Sequence, residues 1–216
     1  MTSLDSIRKK IPPHVRLIAV SKGQSVEKIK TVFATGVKDF GENYAQEFLQ
    51  KEAELAGYGI SWHFLGHLQK NKVGKIIDKI EWLHSLDSFE LAETIQKKAQ
   101  RPVKCLLEIK LSEEETKTGC SPEEALQLIP KLKELSKIDL RGLMTVPPFE
   151  EDPEKSRPFF KQLSSLLKTI NDRYLYKQKL TELSIGMSHD FEVAIQEGAT
   201  MVRVGTAIFG PRVTEP

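Results

Sequence analysis

Apolar residues recur along this chain in two alternating rhythms: short runs or every-second positions that mark strands, and three-and-four spacings that mark helices. The first strong run is HVRLIAVSK, His14 to Lys22, where Val15, Leu17, Ile18, Ala19 and Val20 predict a strand buried on both faces. Residues 3–10 ahead of it predict a short helix stopped by Pro12 and Pro13. After it, Ser25 caps a helix carrying Val26, Ile29, Val32 and Phe33, closed by Thr35-Gly36. VKDFGEN (37–43) reads as a second strand, followed by a helix from Tyr44 to Ala56. WHFLG (62–66) is a third strand, with HLQKNK as exit loop and a helix from Asn71 to Lys79. EWLHSLD (81–87) is a fourth, and Asp87 with Glu90 has capping-box spacing for the helix after it. VKCLLEIKL (103–111), IDLRGLMTV (138–146), ELSIGMSHD (182–190) and TMVRVGTAIFG (200–210) contain strands five to eight. The intervening helices open at Ser121-Pro122 with Glu124, at Asp152-Pro153, and at FEVAIQEGA, which Gly198 ends.

Strand and helix thus alternate eight times in 216 residues. The expectation is an α/β fold, a (β/α)8 TIM-type barrel forming one domain over residues 1–216. An open doubly wound sheet would carry a glycine-rich phosphate fingerprint after its first strand, and Gly23 stands alone there.

Composition narrows the chemistry. With 39% apolar residues the chain can bury a full core. A net charge of +2 with acids and bases interspersed offers no polybasic tract, so neither nucleic acid nor a membrane surface is expected as partner. The N-terminus has no signal-peptide apolar region, and no apolar run is as long as a membrane span. Cys105 and Cys120 have no redox or zinc spacing, which is read as a reduced, cytoplasmic setting.

In a barrel, chemistry gathers where strands end. There the sequence puts Lys22, then Gly41, Glu42 and Asn43, Gly66 and His67, Met144, Ser184, Gly186 and Ser188, and Arg203, Gly205 and Thr206. A lysine leaving a buried strand has its stem in an apolar wall, and desolvation favours the neutral amine that attacks a carbonyl. The plainer reading is a lysine snorkelling to water. The loops after strands seven and eight, with the start of a short helix, have the makings of a phosphate cup; the plainer reading is that Ser188 and Asp190 only start a helix. An imine-forming lysine plus a phosphate cup fits either a phosphosugar aldolase or a pyridoxal phosphate (PLP) site. His63 and His67 straddle a strand end and are not read as a metal pair: His63 is expected in a wall and His189 on a helix's first-turn surface. Cys120 reads as a loop thiol, Glu113 to Glu115 as a solvated turn, and Met144 as core more readily than ligand contact.

The stretches AVSK (19–22), FGENYAQE (40–47), WHFLGHLQKNK (62–72), GLM (142–144) and LSIGMSHDFEVAIQEGATMVRVGTAIFG (183–210) resemble the pyridoxal phosphate homeostasis protein family from the first strand onward. The resemblance implies a PLP-binding barrel similar to the N-terminal domain of alanine racemase and of group IV decarboxylases. It implies that Lys22 holds PLP as a Schiff base, and that Ser184, Ser188, Gly205 and Thr206 meet the phosphate. Asn43 and Met144 would line the ring, with Arg203 near the pyridine nitrogen or the phosphate. It gives His67 no role.

Related enzymes complete their sites with a second domain and a partner subunit, and the chain ends soon after Gly210. The expectation is therefore a monomeric carrier in PLP (vitamin B6) and amino-acid homeostasis, without robust catalysis and with PLP-dependent apoenzymes as candidate recipients. The alternatives are a slow PLP-dependent amino-acid racemase or lyase, and a PLP-independent Schiff-base aldolase.

Overall fold

The computed structural model describes residues 3–112 and 118–211. The acidic run at Glu113 to Glu115 lies outside them. Eight parallel strands close into one barrel in chain order: β1 Arg16–Val20, β2 Asp39–Glu42, β3 Ser61–Phe64, β4 Trp82–Leu86, β5 Val103–Glu108, β6 Ile138–Met144, β7 Glu182–Ser184 and β8 Met201–Val204. The closing pair is β1 with β8, in register from Arg16–Met201 to Ala19–Val204.

Helices α1 Ser3–Lys10, α2 Val26–Ala34, α3 Ala45–Glu54, α4 Val73–Ile76, α5 Phe89–Lys98, α6 Pro122–Leu132, α7 Arg157–Asp172, α8 Phe191–Gln196 and α9 Thr206–Phe209 surround it. Ser25 caps α2 as expected, and Ser121 with Glu124 forms a complete capping box on α6. Two expectations need correction. The helix foreseen over 71–79 is a 3₁₀ turn (Lys70–Lys72), the single α-turn α4 and a second 3₁₀ turn (Ile77–Lys79). Gly74 inside this stretch disfavours a longer regular helix, while the buried Val73, Ile76 and Ile77 hold the short turns to the core. The cap of α5 is Ser88, whose hydroxyl accepts from the Leu91 N–H. Asp87 is engaged elsewhere, accepting from Ser88 Oγ and facing His67.

Side chains alternate inward and outward along each strand. The outward set packs with the helices into the main core, and Ile18, Trp82, Leu106, Met144 and Met201 form a smaller apolar cluster of their own. Among the described residues, no helix is long and apolar enough to cross a membrane.

Candidate functional site

At the C-terminal ends of the strands a cavity of about 290 Å³ opens, at the small end of ligand-pocket sizes. Six of the residues singled out above line it: Lys22, Asn43, Ser188, Arg203, Gly205 and Thr206. Val20, Leu65, Val146 and Met187 supply apolar wall.

Lys22 sits half-buried on a turn held from both sides. The Ser21 hydroxyl donates to Glu42 Oε1 at 2.6 Å. Lys51, on the inner face of α3, donates to the Ser21 carbonyl (2.7 Å), Glu42 Oε1 (2.8 Å) and Glu47 Oε1 (2.6 Å). Glu47 Oε1 in turn accepts from the Gly23 N–H at 2.5 Å. Burial pushes the Glu42 carboxyl above its ordinary range while Lys51 pulls it back. Sequence reading missed Lys51; its signal is the i,i+4 spacing from Glu47 on a face that turns out to be buried.

Asn43 follows β2, and its Oδ1 is buried with no hydrogen-bond partner among the described residues. The backbones of the β2 and β3 exits touch there: a Cβ on Gly66 would lie 2.2 Å from the Asn43 carbonyl oxygen. Ser188 does not merely start a helix. Its hydroxyl accepts from the N–H groups of Gly205 (3.2 Å) and Ala207 (3.4 Å), tying the loop after β7 to the loop after β8. Gly186 lets the first of these loops turn, with φ +86° and α8 so close that a Cβ would lie 2.5 Å from that of Ala194. Asp190 Oδ1 accepts from the Met187 N–H, bracing the same loop.

Arg203 is buried. Its Nη1 donates to Ser184 O and Ser184 Oγ, both at 2.6 Å, and Nη2 donates to Thr145 O at 2.9 Å. Burial draws the guanidinium down to about 10, against the opposing pull of Asp190 and Glu108. It still carries its charge at neutral pH. Ser184 and Met144 are not among the lining residues: the fully buried Ser184 hydroxyl lies between Arg203 and His84, and Met144 packs in the smaller apolar cluster.

The remaining residues sort as follows. His63 is fully buried between Asp39 and His84. His67 Nδ1 lies 2.9 Å from Asp87 Oδ2 at the surface. His189 is exposed, as expected, yet it also lines the cavity mouth, donating from Nε2 to Glu151 O and leaning on the ring of Phe149. Cys120 is not a plain loop thiol. It is buried and bridges in parallel to Ile109, and burial pushes its thiol up to about 12.

A closed parallel barrel with a lysine after its first strand and a two-loop knot after its last strands is a barrel of the alanine racemase type; the model of the alanine racemase N-terminal domain matches residues 3–213. The chain is 44% identical over 200 residues to the pyridoxal phosphate homeostasis protein of Aquifex aeolicus, covering 91% of this chain and 87% of that one. It is 40% identical to the protein of that name in Pseudomonas aeruginosa, over 93% and 86% of the two chains. The solved PipY of Synechococcus elongatus, known with and without PLP, superposes with a TM-score of 0.90 at 38% identity, over 96% of this chain and 98% of PipY. Alanine racemase of Clostridium difficile shares the fold, with a TM-score of 0.79 at 19% identity; this chain covers 56% of its length. This chain belongs to the pyridoxal phosphate homeostasis protein family.

Proposed function

We propose that this chain binds PLP at the barrel mouth, with Lys22 holding it as a Schiff base, and that it stores and hands on the cofactor in vitamin B6 and amino-acid homeostasis. The observation that carries the reading is one cavity lined by Lys22, by Ser188 and Gly205, which the Ser188 hydroxyl ties together, and by Arg203. The residues present fit the group. An anionic phosphate suits the Ser188 and Thr206 hydroxyls and the close backbone approach that Gly205 allows where the two loops meet. The orphaned Asn43 Oδ1 gains from any polar ring substituent, and the apolar wall of Val20, Leu65 and Met187 suits the ring faces. Ser184 holds Arg203 from beneath the cavity.

When bound, PLP supplies an aldehyde for reversible condensation with amines. Lys22 is the chain's amine for that exchange. Arg203 brings a fixed positive charge to the cavity, which opposes protonation of a pyridine nitrogen near it and weakens the ring as an electron sink. Phe149 at the mouth is 76% exposed, so the site is open to incoming amines and to water. Both features favour a carrier over a dry catalytic centre. The names of the relatives agree with that emphasis. The same reading takes the chain as a single-domain monomer in a reducing, cytoplasmic setting, its two thiols both buried and unpaired.

The test is the visible spectrum of protein mixed with PLP, before and after borohydride, for wild type and Lys22→Ala. Wild type turns yellow and keeps a fixed label that maps to Lys22, and the variant does neither. A protein that PLP cannot tint overturns the cofactor reading. Sustained turnover of amino acids by the loaded protein would replace the carrier by a slow racemase or lyase.

A further inference from the structure

A chain of hydrogen bonds crosses the inside of the barrel, from the N-terminal ends of the strands to the cavity floor. It begins with Arg16 Nη1, which donates to Asp39 Oδ1 at 3.2 Å. Asp39 Oδ1 is 2.9 Å from His63 Nε2, His63 Nδ1 is 2.8 Å from His84 Nε2, and His84 Nδ1 is 2.9 Å from Ser184 Oγ. Ser184 Oγ accepts from Arg203 Nη1 at 2.6 Å.

Proton counting gives this chain one sense. A carboxylate only accepts, so His63 must donate from Nε2. A neutral His63 then accepts at Nδ1, which makes His84 Nε2 a donor and His84 Nδ1 an acceptor. Only the Ser184 hydroxyl can supply that last acceptor, and its oxygen is left to take the Arg203 N–H. Every link then carries one proton and points toward Asp39, with the fixed charges, Arg203 and Asp39, at the two ends. Burial holds both imidazoles below their ordinary range. For His63 the Asp39 contact and Glu81 oppose burial while Arg16 adds to it; for His84 the charges of Arg203 and Arg16 reinforce it.

We propose that Asp39, His63, His84 and Ser184 are positioning residues for Arg203, fixing its guanidinium so that Nη1 is spent on Ser184 while Nε–H and one Nη2–H remain to serve the cavity. Without His84 to take its proton, the Ser184 hydroxyl could rotate and present that proton to the guanidinium. A barrel interior that also holds Ile18, Trp82, Leu106, Met144 and Met201 could have filled these positions with aliphatic side chains. The proposal rests on the PLP reading for what Arg203 meets, but the alignment itself is measurable without the cofactor.

The experiment is ¹⁵N NMR of the full chain without PLP, followed by PLP titration, for wild type, His84→Leu, His84→Gln and Ser184→Ala. In wild type at pH 7, His63 and His84 both read as neutral Nε2–H tautomers, and the Arg203 guanidinium N–H signals are resolved in slow exchange. His84→Leu and Ser184→Ala average those Arg203 signals and weaken PLP binding roughly tenfold, the worth of one charge-assisted hydrogen bond. His84→Gln, which can both donate and accept, restores them in part. Should His84→Leu fail to fold, Ser184→Ala, which loses a single oxygen, decides alone. Arg203 signals that do not change in these variants, or a wild-type Nδ1–H or cationic histidine in the chain, overturn the proposal. If wild type binds no PLP while the NMR pattern holds, the cofactor reading fails and the positioning stands.

Discussion

Lys51 is a buried cation whose three oxygen partners lie around the turn that presents Lys22. Glu42 beside it is fully buried, and its second oxygen has no hydrogen-bond partner among the described residues. Removing the ammonium leaves that carboxylate uncompensated, which typically costs about 3–5 kcal/mol in a buried pair. Lys51→Met should therefore lower unfolding stability by about that amount and slow borohydride capture of PLP at Lys22, because the turn has lost its tether. Urea denaturation and labelling kinetics check both. A variant as stable as wild type would mean that Glu42 is protonated in the native state and that Lys51 contributes little. Lys22, Ser188 and Arg203, which line the cavity, could be found from sequence because each lies at or just beyond the C-terminal end of a strand run, where barrel chemistry collects. Lys51 was signalled only by its i,i+4 spacing from Glu47, which does not reveal that the face is buried, and His84 and Asp39 had no signal, since their partners are distant in the chain, such as Ser184, 100 residues beyond His84.

Strands were readable because continuous apolar runs in a sheet covered on both faces leave little ambiguity. Helix starts were readable where the cap chemistry is complete, as at Ser121, whose hydroxyl accepts from the Glu124 N–H while the Glu124 carboxylate accepts from the Ser121 N–H. They were misread where a neighbouring strand's loop claims the capping residue, as His67 does with Asp87. These two kinds of element end predict different losses. Ser121→Ala removes a cap on α6, which contributes no residue to the cavity lining. It should cost about 1 kcal/mol of stability and leave PLP affinity unchanged. Ser188→Ala removes the oxygen that joins the β7 and β8 exits. It should change stability less but weaken PLP binding roughly tenfold, since the two loops lose their common anchor. Thermal unfolding paired with PLP titration separates the two. Equal losses of affinity in both variants would show that the knot is only a fold device.

The polar chain inside the barrel also links the whole molecule's stability to pH. His63 and His84 take up protons in the unfolded chain near 6.5 but resist them when folded, because burial disfavours the imidazolium. Their folded values are depressed, so the stability they contribute is present above about pH 6.5 and is lost as pH falls toward the folded values. Two such groups give a slope approaching ~2.7 kcal/mol per pH unit below that point. Asp39 acts in the same sense at lower pH: burial alone would raise it, but its hydrogen bond from His63 and the charge of Arg16 together hold it below its ordinary value. Glu42 and Glu108 act in the opposite sense, because burial raises both and the folded state takes up their protons first. The histidine contribution is therefore isolated as a difference between proteins. Between pH 7 and 5, wild type should lose more urea resistance than His84→Gln, by up to ~1.4 kcal/mol per pH unit, the share of one histidine. Parallel curves for the two proteins would mean that His84 binds its proton as readily in the folded barrel as in the unfolded chain, and the claim that burial holds it neutral within the one-way chain of bonds would fall with that result.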